Sequence, residues 1–198
     1  MSWSSVSAEL RKADQERPPT ARVFFALRPP DALAGTLADV ARDAAERLGG
    51  RPTRCNTIHL TLAFLGDVPV DDLPVLQAIG DGIQCSRFAL RIDRLGYWPH
   101  KRLLWAGMSE VPDGLRDLHR QLQGTLAASG YRSDTAAHGF APHITLVRHM
   151  PSGEADSMVT GAGNLHPLDW PCSSFLLFKS ELRSSGPDYG ILRKYSLA

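Results

Sequence analysis

Two short stretches of the sequence combine residue types that could transfer protons and bind phosphate. Each contains a histidine, an apolar residue, a threonine and a second apolar residue; the first runs from His59 to Leu62 and the second from His143 to Leu146. Side chains alternate between the two faces of a β-strand, so the histidine and threonine of each motif would share one face. Each motif therefore predicts a half-buried strand that displays an imidazole and a hydroxyl.

The two motifs together suit the hydrolysis of a phosphodiester. That reaction needs a base that takes a proton from attacking water and an acid that protonates the departing oxygen. Histidine can fill both roles, because its ordinary pKa of about 6.5 allows one ring to be neutral while the other is protonated. The hydroxyls of Thr61 and Thr145 could donate to the phosphate oxygens that gain charge as water attacks.

A single histidine–threonine pattern carries little weight, because threonine is common in strands. The chain contains seven histidines, and about 0.06 such patterns with apolar second and fourth positions are expected by chance. Two of them, at equivalent places in the order of elements, favour a catalytic pair over two unrelated strands.

Hydrophobic periodicity predicts an α+β chain in which each motif lies on a strand that follows a helix. The predicted helices span residues 31–48, 71–83 and 113–130. The predicted strands span residues 22–27, 57–65, 88–95, 102–108, 141–147, 173–182 and 190–198. Residues 151–171 are rich in glycine and proline and predict an irregular connection. The helix and motif strand recur in the same order, which indicates a weak internal duplication.

The composition fits a single globular domain at residues 22–198 that follows a flexible polar tail at residues 1–21. The formal net charge of +1 argues against general attraction to duplex nucleic acid, so any RNA contact would be local. Three isolated cysteines fit a reducing compartment. We find no secretory or membrane-spanning pattern in the sequence, and we expect a cytoplasmic monomer.

The residues around the two motifs resemble the RNA 2′,3′-cyclic phosphodiesterases, historically called 2′-5′ RNA ligases, of the two-histidine phosphoesterase superfamily. The resemblance extends over residues 22–198 and is carried by the segments ARVFFAL, IHLTLAFLGDV, LLWAGM, APHITLVR and SELRSSGPDYGILRKY. It implies a bilobal α+β fold. In that fold, two antiparallel sheets with outer helices lie in a pseudo-twofold arrangement around a central cleft.

The resemblance also implies an activity that needs neither metal nor cofactor. The reaction is hydrolysis of the terminal 2′,3′-cyclic phosphate of RNA to a 2′-phosphate, with the reverse joining of 2′-5′ linkages. His59 would be the proton donor to the departing 3′ oxygen, and His143 the proton acceptor that activates water. Thr61 and Thr145 would hold phosphate oxygens. The chain departs from the family pattern at residues 53–57, where a tryptophan and an acidic residue are common and this chain has Thr-Arg-Cys-Asn-Thr.

Three further residues are candidate substrate contacts. Arg148 follows the second motif, where its guanidinium could bind phosphate or remain a solvated charge at the strand end. Phe64 lies on the apolar side of its strand by parity, which favours core packing unless a local bulge turns it toward a base. Tyr189 could stack on a base, as could Trp98 and Trp105, although packing within the fold also explains all three.

We expect no metal site. The spacing of His138, His143 and His149 straddles a strand with the wrong parity and lacks a carboxylate or thiolate partner. The remaining histidines are assigned to the surface or to helix edges: His100, His119 and His166.

Two other functions remain open from the sequence. One is the same chemistry on a small cyclic nucleotide or on the cyclic phosphate of an ADP-ribose derivative. The other is a module that binds RNA phosphate ends without catalysis, against which the nearly neutral charge counts mildly.

Overall fold

The computed structural model describes residues 18–134, 139–151, 165–184 and 186–198. In chain order it contains β1 (Thr20–Leu27), α1 (Asp31–Leu48), β2 (Arg51–Pro52), β3 (Leu60–Pro69), α2 (Leu73–Asp81), β4 (Phe88–Ile92), β5 (Arg94–Trp98), β6 (Leu103–Gly107), α3 (Asp113–Ala128), β7 (Ile144–Arg148), β8 (Leu168–Cys172), β9 (Ser174–Arg183) and β10 (Gly186–Ser196). Most of the predicted tail, most of the predicted irregular connection and His138 lie outside the described residues. Within those residues, no helix is both long and apolar enough to cross a membrane.

Two amphipathic helices, α1 and α3, pack on the strands that carry the motifs. Their buried residues recur every three to four positions, as expected for one apolar face; these are Ala34, Leu37, Ala38 and Ala41 in α1, and Leu115, Leu118, Leu122 and Leu126 in α3. α1 packs on β2 and β7, whereas α3 packs on β3. α1, which follows β1, therefore supports the strand of the second motif, β7. α3, which follows β6, supports the strand of the first motif, β3.

Within the described residues, the strands form an antiparallel sheet of eight strands and a separate two-stranded sheet. The main sheet has the order β10-β9-β1-β3-β7-β6-β5, and the short β2 pairs with β7. Its two halves meet where β3 pairs with β7 through a single residue pair, Leu60 and Ile144. The α+β class and the antiparallel pairing are therefore confirmed. The two sheets expected from the sequence are present as halves that share this one junction.

Two of the differences from the predicted elements concern β4 with β5, and β8. The predicted strand at residues 88–95 divides at Asp93 into β4, which pairs with β8, and β5, which pairs with β6. The Asp93 carboxylate accepts hydrogen bonds from the backbone N–H and the hydroxyl of Ser109, at 2.8 and 2.6 Å, which fix this break. All of β8 except Cys172 lies inside the stretch predicted to be irregular. It was missed because Pro171 lies within it, and proline argues against a strand.

The main sheet carries apolar residues on both faces. The larger core lies between the sheet and the helices and includes Leu60 and Ile144. A second, smaller set of apolar side chains comprises Phe24, Ala26, Leu176 and Phe178, with Phe64 and Tyr189 packed against them. We call the first four of these residues the Phe24 cluster. It leaves the sheet with an aromatic surface outside the main core.

Two helical glycines predict opposite responses to an added methyl group. A Cβ at Gly80 in α2 would lie 2.2–2.6 Å from the ring and hydroxyl of Tyr195. Tyr195 is 5% exposed and stacks on Phe175 at 4.7 Å, so it has little room to move. A Cβ at Gly124 in α3 would meet open space. We expect Gly80→Ala to lower the free energy of unfolding by about 1–3 kcal/mol.

Gly124→Ala is the matched control, and we expect it to raise the free energy of unfolding by about 0.5–1 kcal/mol, because alanine favours helix. Urea unfolding followed by circular dichroism measures both. A neutral Gly80→Ala variant would contradict the close packing of α2 on β10.

Candidate active site

The junction between the two halves of the sheet brings the motif side chains to one face. Successive side chains along a strand point to opposite faces of the sheet. The residues just before and just after a cross-strand pair therefore lie on the face opposite to that pair. Leu60 and Ile144 point into the main core. The side chains on the opposite face are those of His59, Thr61, His143 and Thr145. In this register the two histidines are diagonal neighbours, and such residues are typically about 7–8 Å apart, with their Cβ atoms somewhat closer. The charge of His143 contributes to the lowered pKa of His59, in keeping with this proximity.

Both motif strands contain a β-bulge at the residue that follows the motif threonine. The pairing of β3 with β1 skips Leu62, and the pairing of β7 with β6 skips Leu146. An extra residue reverses the alternation of faces beyond it. The residue five positions after each motif histidine therefore returns to the histidine's face, and these two residues are Phe64 and Arg148.

The bulge overturns the interpretation of Phe64 as a residue on the apolar, core-facing side of its strand. Phe64 packs on the Phe24 cluster, with its ring centre 6.4 Å from that of Phe24. The Arg22 guanidinium lies 4.8 Å from the centre of the Phe64 ring. Parity failed because it assumes a regular strand. The equivalent bulge in β7 brings Arg148 into the same pocket as His59.

Each bulge is held by hydrogen bonds to its own carbonyl group. The Leu62 carbonyl accepts hydrogen bonds from His119 Nδ1 and Gln123 Nε2 of α3, at 3.1 and 3.2 Å. The Leu146 carbonyl accepts one from the Thr53 N–H at 2.7 Å. His119, assigned from the sequence to the surface or a helix edge, is half-buried, and burial lowers its pKa. The neutral ring therefore serves as a donor that fixes the first bulge.

A backbone carbonyl two residues earlier orients each motif histidine. His59 Nδ1 lies 2.7 Å from the Thr57 carbonyl oxygen, and His143 Nδ1 lies 2.9 Å from that of Ala141. A carbonyl can only accept, so Nδ1 carries the hydrogen in both rings and Nε2 is left for a substrate. The Thr57 hydroxyl donates to the Arg54 carbonyl at 2.9 Å, which holds the turn before His59.

Aromatic rings flank both imidazoles. His59 packs against Phe24 and Tyr189, at centroid distances of 5.0 and 5.3 Å. His143 contacts Trp98 edge to face at 4.5 Å. These contacts limit the motion of the imidazoles and bury part of each ring. Tyr189, a candidate base contact from the sequence, thus touches one motif histidine, and Trp98 touches the other.

Burial lowers the pKa of both motif histidines. The pKa of His59 falls to about 4, mainly because of burial, although its hydrogen bond to Thr57 opposes the change. The positive charges of Arg148 and His143 lower it further. Burial also lowers the pKa of His143, and the charges of Lys101 and Arg148 add to this effect. Both rings are therefore mainly neutral at pH 7, and the charge of Arg148 lowers the pKa of both.

One open pocket, with a volume of about 710 Å³ when the solvent at its mouth is included, contains several of the candidate residues. Those that line it are His59, Thr145, Arg148 and Tyr189. His143 and Thr61 share the face of the sheet but are not part of the lining of this pocket. Among the described residues, no group of three or more histidine, cysteine, aspartate or glutamate side chains is arranged to hold a metal ion.

Two arginines in this pocket, Arg51 and Arg54, were not identified from the sequence. Arg51 lies in β2, which at Arg51–Pro52 is too short to show any periodicity. Arg54 lies in the segment that departs from the family pattern. That departure was the available signal, because it places a cation just before the first motif.

Comparison with known proteins supports the resemblance seen in the sequence. The family profile described as the 2′-5′ RNA ligase superfamily matches residues 29–183. The chain is 30% identical over 184 residues to the RNA 2′,3′-cyclic phosphodiesterase of Thermus thermophilus, which covers 89% of this chain and 90% of that protein. It is 30% identical over 177 residues to the Escherichia coli RNA 2′,3′-cyclic phosphodiesterase, covering 89% and 96%.

A solved structure shows the same fold. The crystal structure of E. coli LigT complexed with 3′-AMP matches with a TM-score of 0.78 at 28% identity, covering 91% of this chain and 99% of that one. The chain therefore belongs to the 2′-5′ RNA ligase superfamily.

Proposed function

We propose that this protein hydrolyses the terminal 2′,3′-cyclic phosphate of RNA to a 2′-phosphate, with the two motif histidines as acid and base. The observation that carries the proposal is the pairing of Leu60 with Ile144, which turns both imidazoles to one face of adjacent strands. Two relatives are RNA 2′,3′-cyclic phosphodiesterases, which supports this substrate class. The 3′-AMP complex of LigT supports a nucleotide in the cleft.

In this reaction His143 Nε2 takes a proton from water while the water oxygen forms a bond to phosphorus. The bond between phosphorus and O3′ breaks, and His59 Nε2 gives its proton to O3′. The products are a 3′-hydroxyl and a 2′-phosphate, and exchange with solvent returns both rings to their starting states. The Nδ1 hydrogen bonds to Thr57 and Ala141 hold the rings in the tautomer that these transfers need.

The other candidate residues stabilise the phosphate and position the nucleoside. Thr61 and Thr145 donate to the non-bridging oxygens, and Arg148 balances the charge that builds on them. Thr145 and Arg148 line the same pocket as His59, which supports these roles. Phe64 and Tyr189 pack on the Phe24 cluster beside His59 and offer an aromatic surface to a base.

The same groups can join RNA ends when a 5′-hydroxyl replaces water as the nucleophile. His143 then takes the proton of that hydroxyl, and the product is a 2′-5′ linkage. Water is far more concentrated than RNA ends, so hydrolysis is the favoured direction.

The rate should depend on pH in a way set by the lowered pKa values of the histidines. One ring must be protonated to act as the acid, and burial favours the neutral ring in both His59 and His143. We expect kcat/KM to be highest on the acid side of pH 6.5 and to fall about tenfold per pH unit above its alkaline limb. A bound phosphate anion favours the protonated ring, so the limb of kcat should lie at higher pH than that of kcat/KM.

Initial rates at constant ionic strength, from about pH 4 to about pH 9, measure both profiles. A kcat/KM that stays flat across this range would contradict an acid and base pair of histidines.

The direct test of the function uses a short RNA that ends in a 2′,3′-cyclic phosphate. We expect the protein to convert this end to a 2′-phosphate, identified by mass spectrometry and by its resistance to a 3′-specific phosphatase. Because the proposed chemistry uses only side chains, EDTA should not change the rate. A 3′-phosphate product, or loss of activity with EDTA, would contradict the mechanism.

The same assay separates the rival functions. Tight binding of the cyclic end without product in a long incubation would indicate a binding module. A higher kcat/KM for a cyclic mononucleotide than for the RNA would indicate a small-nucleotide substrate.

A further inference from the structure

Two arginines lie directly across from each other at the pocket. Arg51 of β2 is paired with Arg148 of β7, and both line the pocket that contains His59. Like charges placed opposite each other on adjacent strands destabilise a sheet. Among the described residues, neither arginine forms an ion pair with a carboxylate. Anions bound beside these guanidinium groups would relieve the repulsion between them.

Arg54 adds a third guanidinium to the same pocket. Its side chain donates a hydrogen bond to the Pro187 carbonyl of β10, which anchors it across the pocket. Burial raises the pKa of Tyr189, and the charges of Arg148 and Arg54 oppose this rise, so both arginines act on the same phenol. The residues that line the pocket include no aspartate or glutamate. The pocket therefore has three arginines and no counter-charge of its own.

The backbone that carries Arg51 is fixed and is not part of an irregular loop. β2 pairs with β7 at Arg51 and Pro52, and the N–H of Thr53 donates to the Leu146 carbonyl at 2.7 Å. Gly50, at φ +101°, makes the close approach possible, because a Cβ there would lie 2.8 Å from the Arg148 carbonyl oxygen. Arg51 is thus held opposite Arg148 on the adjacent strand.

A cyclic phosphate diester carries a single negative charge, and in the proposed mechanism Arg148 and two hydroxyls already bind it. Arg51 and Arg54 are left without a role. We propose that Arg51 and Arg54 form a second phosphate subsite, which binds the phosphate on O5′ of the nucleoside that carries the cyclic phosphate. This inference rests on the proposed function. It specifies the substrate as one with a second phosphate, either the last internucleotide phosphate of RNA or the 5′-phosphate of a free nucleotide.

Three substrates test this subsite: adenosine 2′,3′-cyclic phosphate, the same nucleoside with a 5′-phosphate, and the dinucleotide ApA with a 2′,3′-cyclic phosphate end. Only the first lacks a phosphate at O5′. We expect kcat/KM to be about 10- to 100-fold higher for a substrate that has it, mainly through a lower KM, because charged hydrogen bonds contribute on this scale. A gain for both phosphorylated substrates supports RNA ends, and a gain for the 5′-phosphate alone supports free nucleotides.

The quantity to compare is the ratio of kcat/KM for a substrate with a phosphate at O5′ to kcat/KM for adenosine 2′,3′-cyclic phosphate. The variants Arg51→Gln and Arg54→Gln should each reduce this ratio, and the double variant should bring it close to one. The ratio is the readout because a general loss of activity affects all three substrates alike. Arg120→Gln is the matched control: Arg120 is exposed on α3, paired with Asp117 at 2.7 Å, and outside the pocket. It removes the same charge and should leave the ratio unchanged.

Equal kcat/KM values for all three substrates in the wild type would overturn the subsite while leaving the phosphodiesterase function in place. A ratio that survives in the double variant would also overturn the assignment to Arg51 and Arg54. If no substrate is hydrolysed, the proposed function fails and the subsite fails with it. Calorimetric titration with adenosine 3′-monophosphate and adenosine 3′,5′-bisphosphate gives a measurement without turnover. The Kd of the monophosphate divided by the Kd of the bisphosphate should fall in the double variant.

Discussion

Replacing either motif histidine with alanine is expected to lower kcat/KM for cyclic phosphate hydrolysis by about 10²- to 10⁴-fold. His59→Ala removes the acid that protonates O3′, and His143→Ala removes the base that activates water. Both groups act in one transition state, so the double variant should lose little more than the more damaged single variant. The loss should fall mainly on kcat, because Arg148 and the threonines still bind the phosphate.

His166→Ala is the matched control for these two variants. His166 is exposed and does not line the pocket, so its loss should leave kcat/KM unchanged. The unfolding midpoint of each variant must be measured as well, since His59 packs between Phe24 and Tyr189. Wild-type kcat/KM in either motif variant would contradict the acid and base pair. It would leave the binding of RNA ends as the better interpretation.

The histidines could be identified from the sequence because the relevant signals are local. Alternation along a short segment is enough to put His59 with Thr61, and His143 with Thr145, on one face of each strand. The 3.6-residue period is enough to identify α1 and α3. The adjacency of β3 and β7 is different, because it is a long-range contact. It depends on α1 packing against β7 and α3 against β3, and periodicity within a segment carries no information about such partners.

The contacts that stabilise the bulges come from distant parts of the chain, so the residues around each motif do not show them. The Leu62 carbonyl depends on donors in α3, and the Leu146 carbonyl depends on Thr53. Their trace in the sequence is a pair of adjacent apolar residues after each threonine, and both members of each pair are buried: Leu62-Ala63 and Leu146-Val147. A regular strand would bury only alternate residues. This doublet was overlooked, so parity favoured the core-facing side for Phe64, and the bulge that the structure contains was only the alternative.

β2 shows a different limit of sequence analysis. Gly49 and Gly50 directly follow α1, and Gly50 also allows β2 to approach β7 closely. A strand of two residues has no measurable alternation, so the position of Arg51 opposite Arg148 follows only from the folded backbone. Identifying the arginines of the pocket therefore requires the tertiary structure, whereas the two motifs can be identified from the sequence.

Arg148→Gln is expected to have two separable effects on catalysis. The first is a loss of about 10²- to 10³-fold in kcat, because a charged donor to the developing phosphate charge is removed. The second is a shift of the alkaline limb of kcat/KM to higher pH. The charge of Arg148 lowers the pKa of both His59 and His143. Its removal raises both values, so the protonated acid persists to higher pH.

Arg148→Lys distinguishes these two effects. Lysine keeps a positive charge at the strand end but lacks the planar pair of donors that guanidinium offers to a phosphate. We expect the alkaline limb to stay close to its wild-type position in Arg148→Lys, while kcat recovers only in part. Rate profiles against pH for the wild type and both variants measure this directly. If the alkaline limb of kcat/KM does not move in Arg148→Gln, the charge of Arg148 does not affect the pKa of the two imidazoles. That result would contradict the proposal that Arg148, His59 and His143 act on the same phosphate.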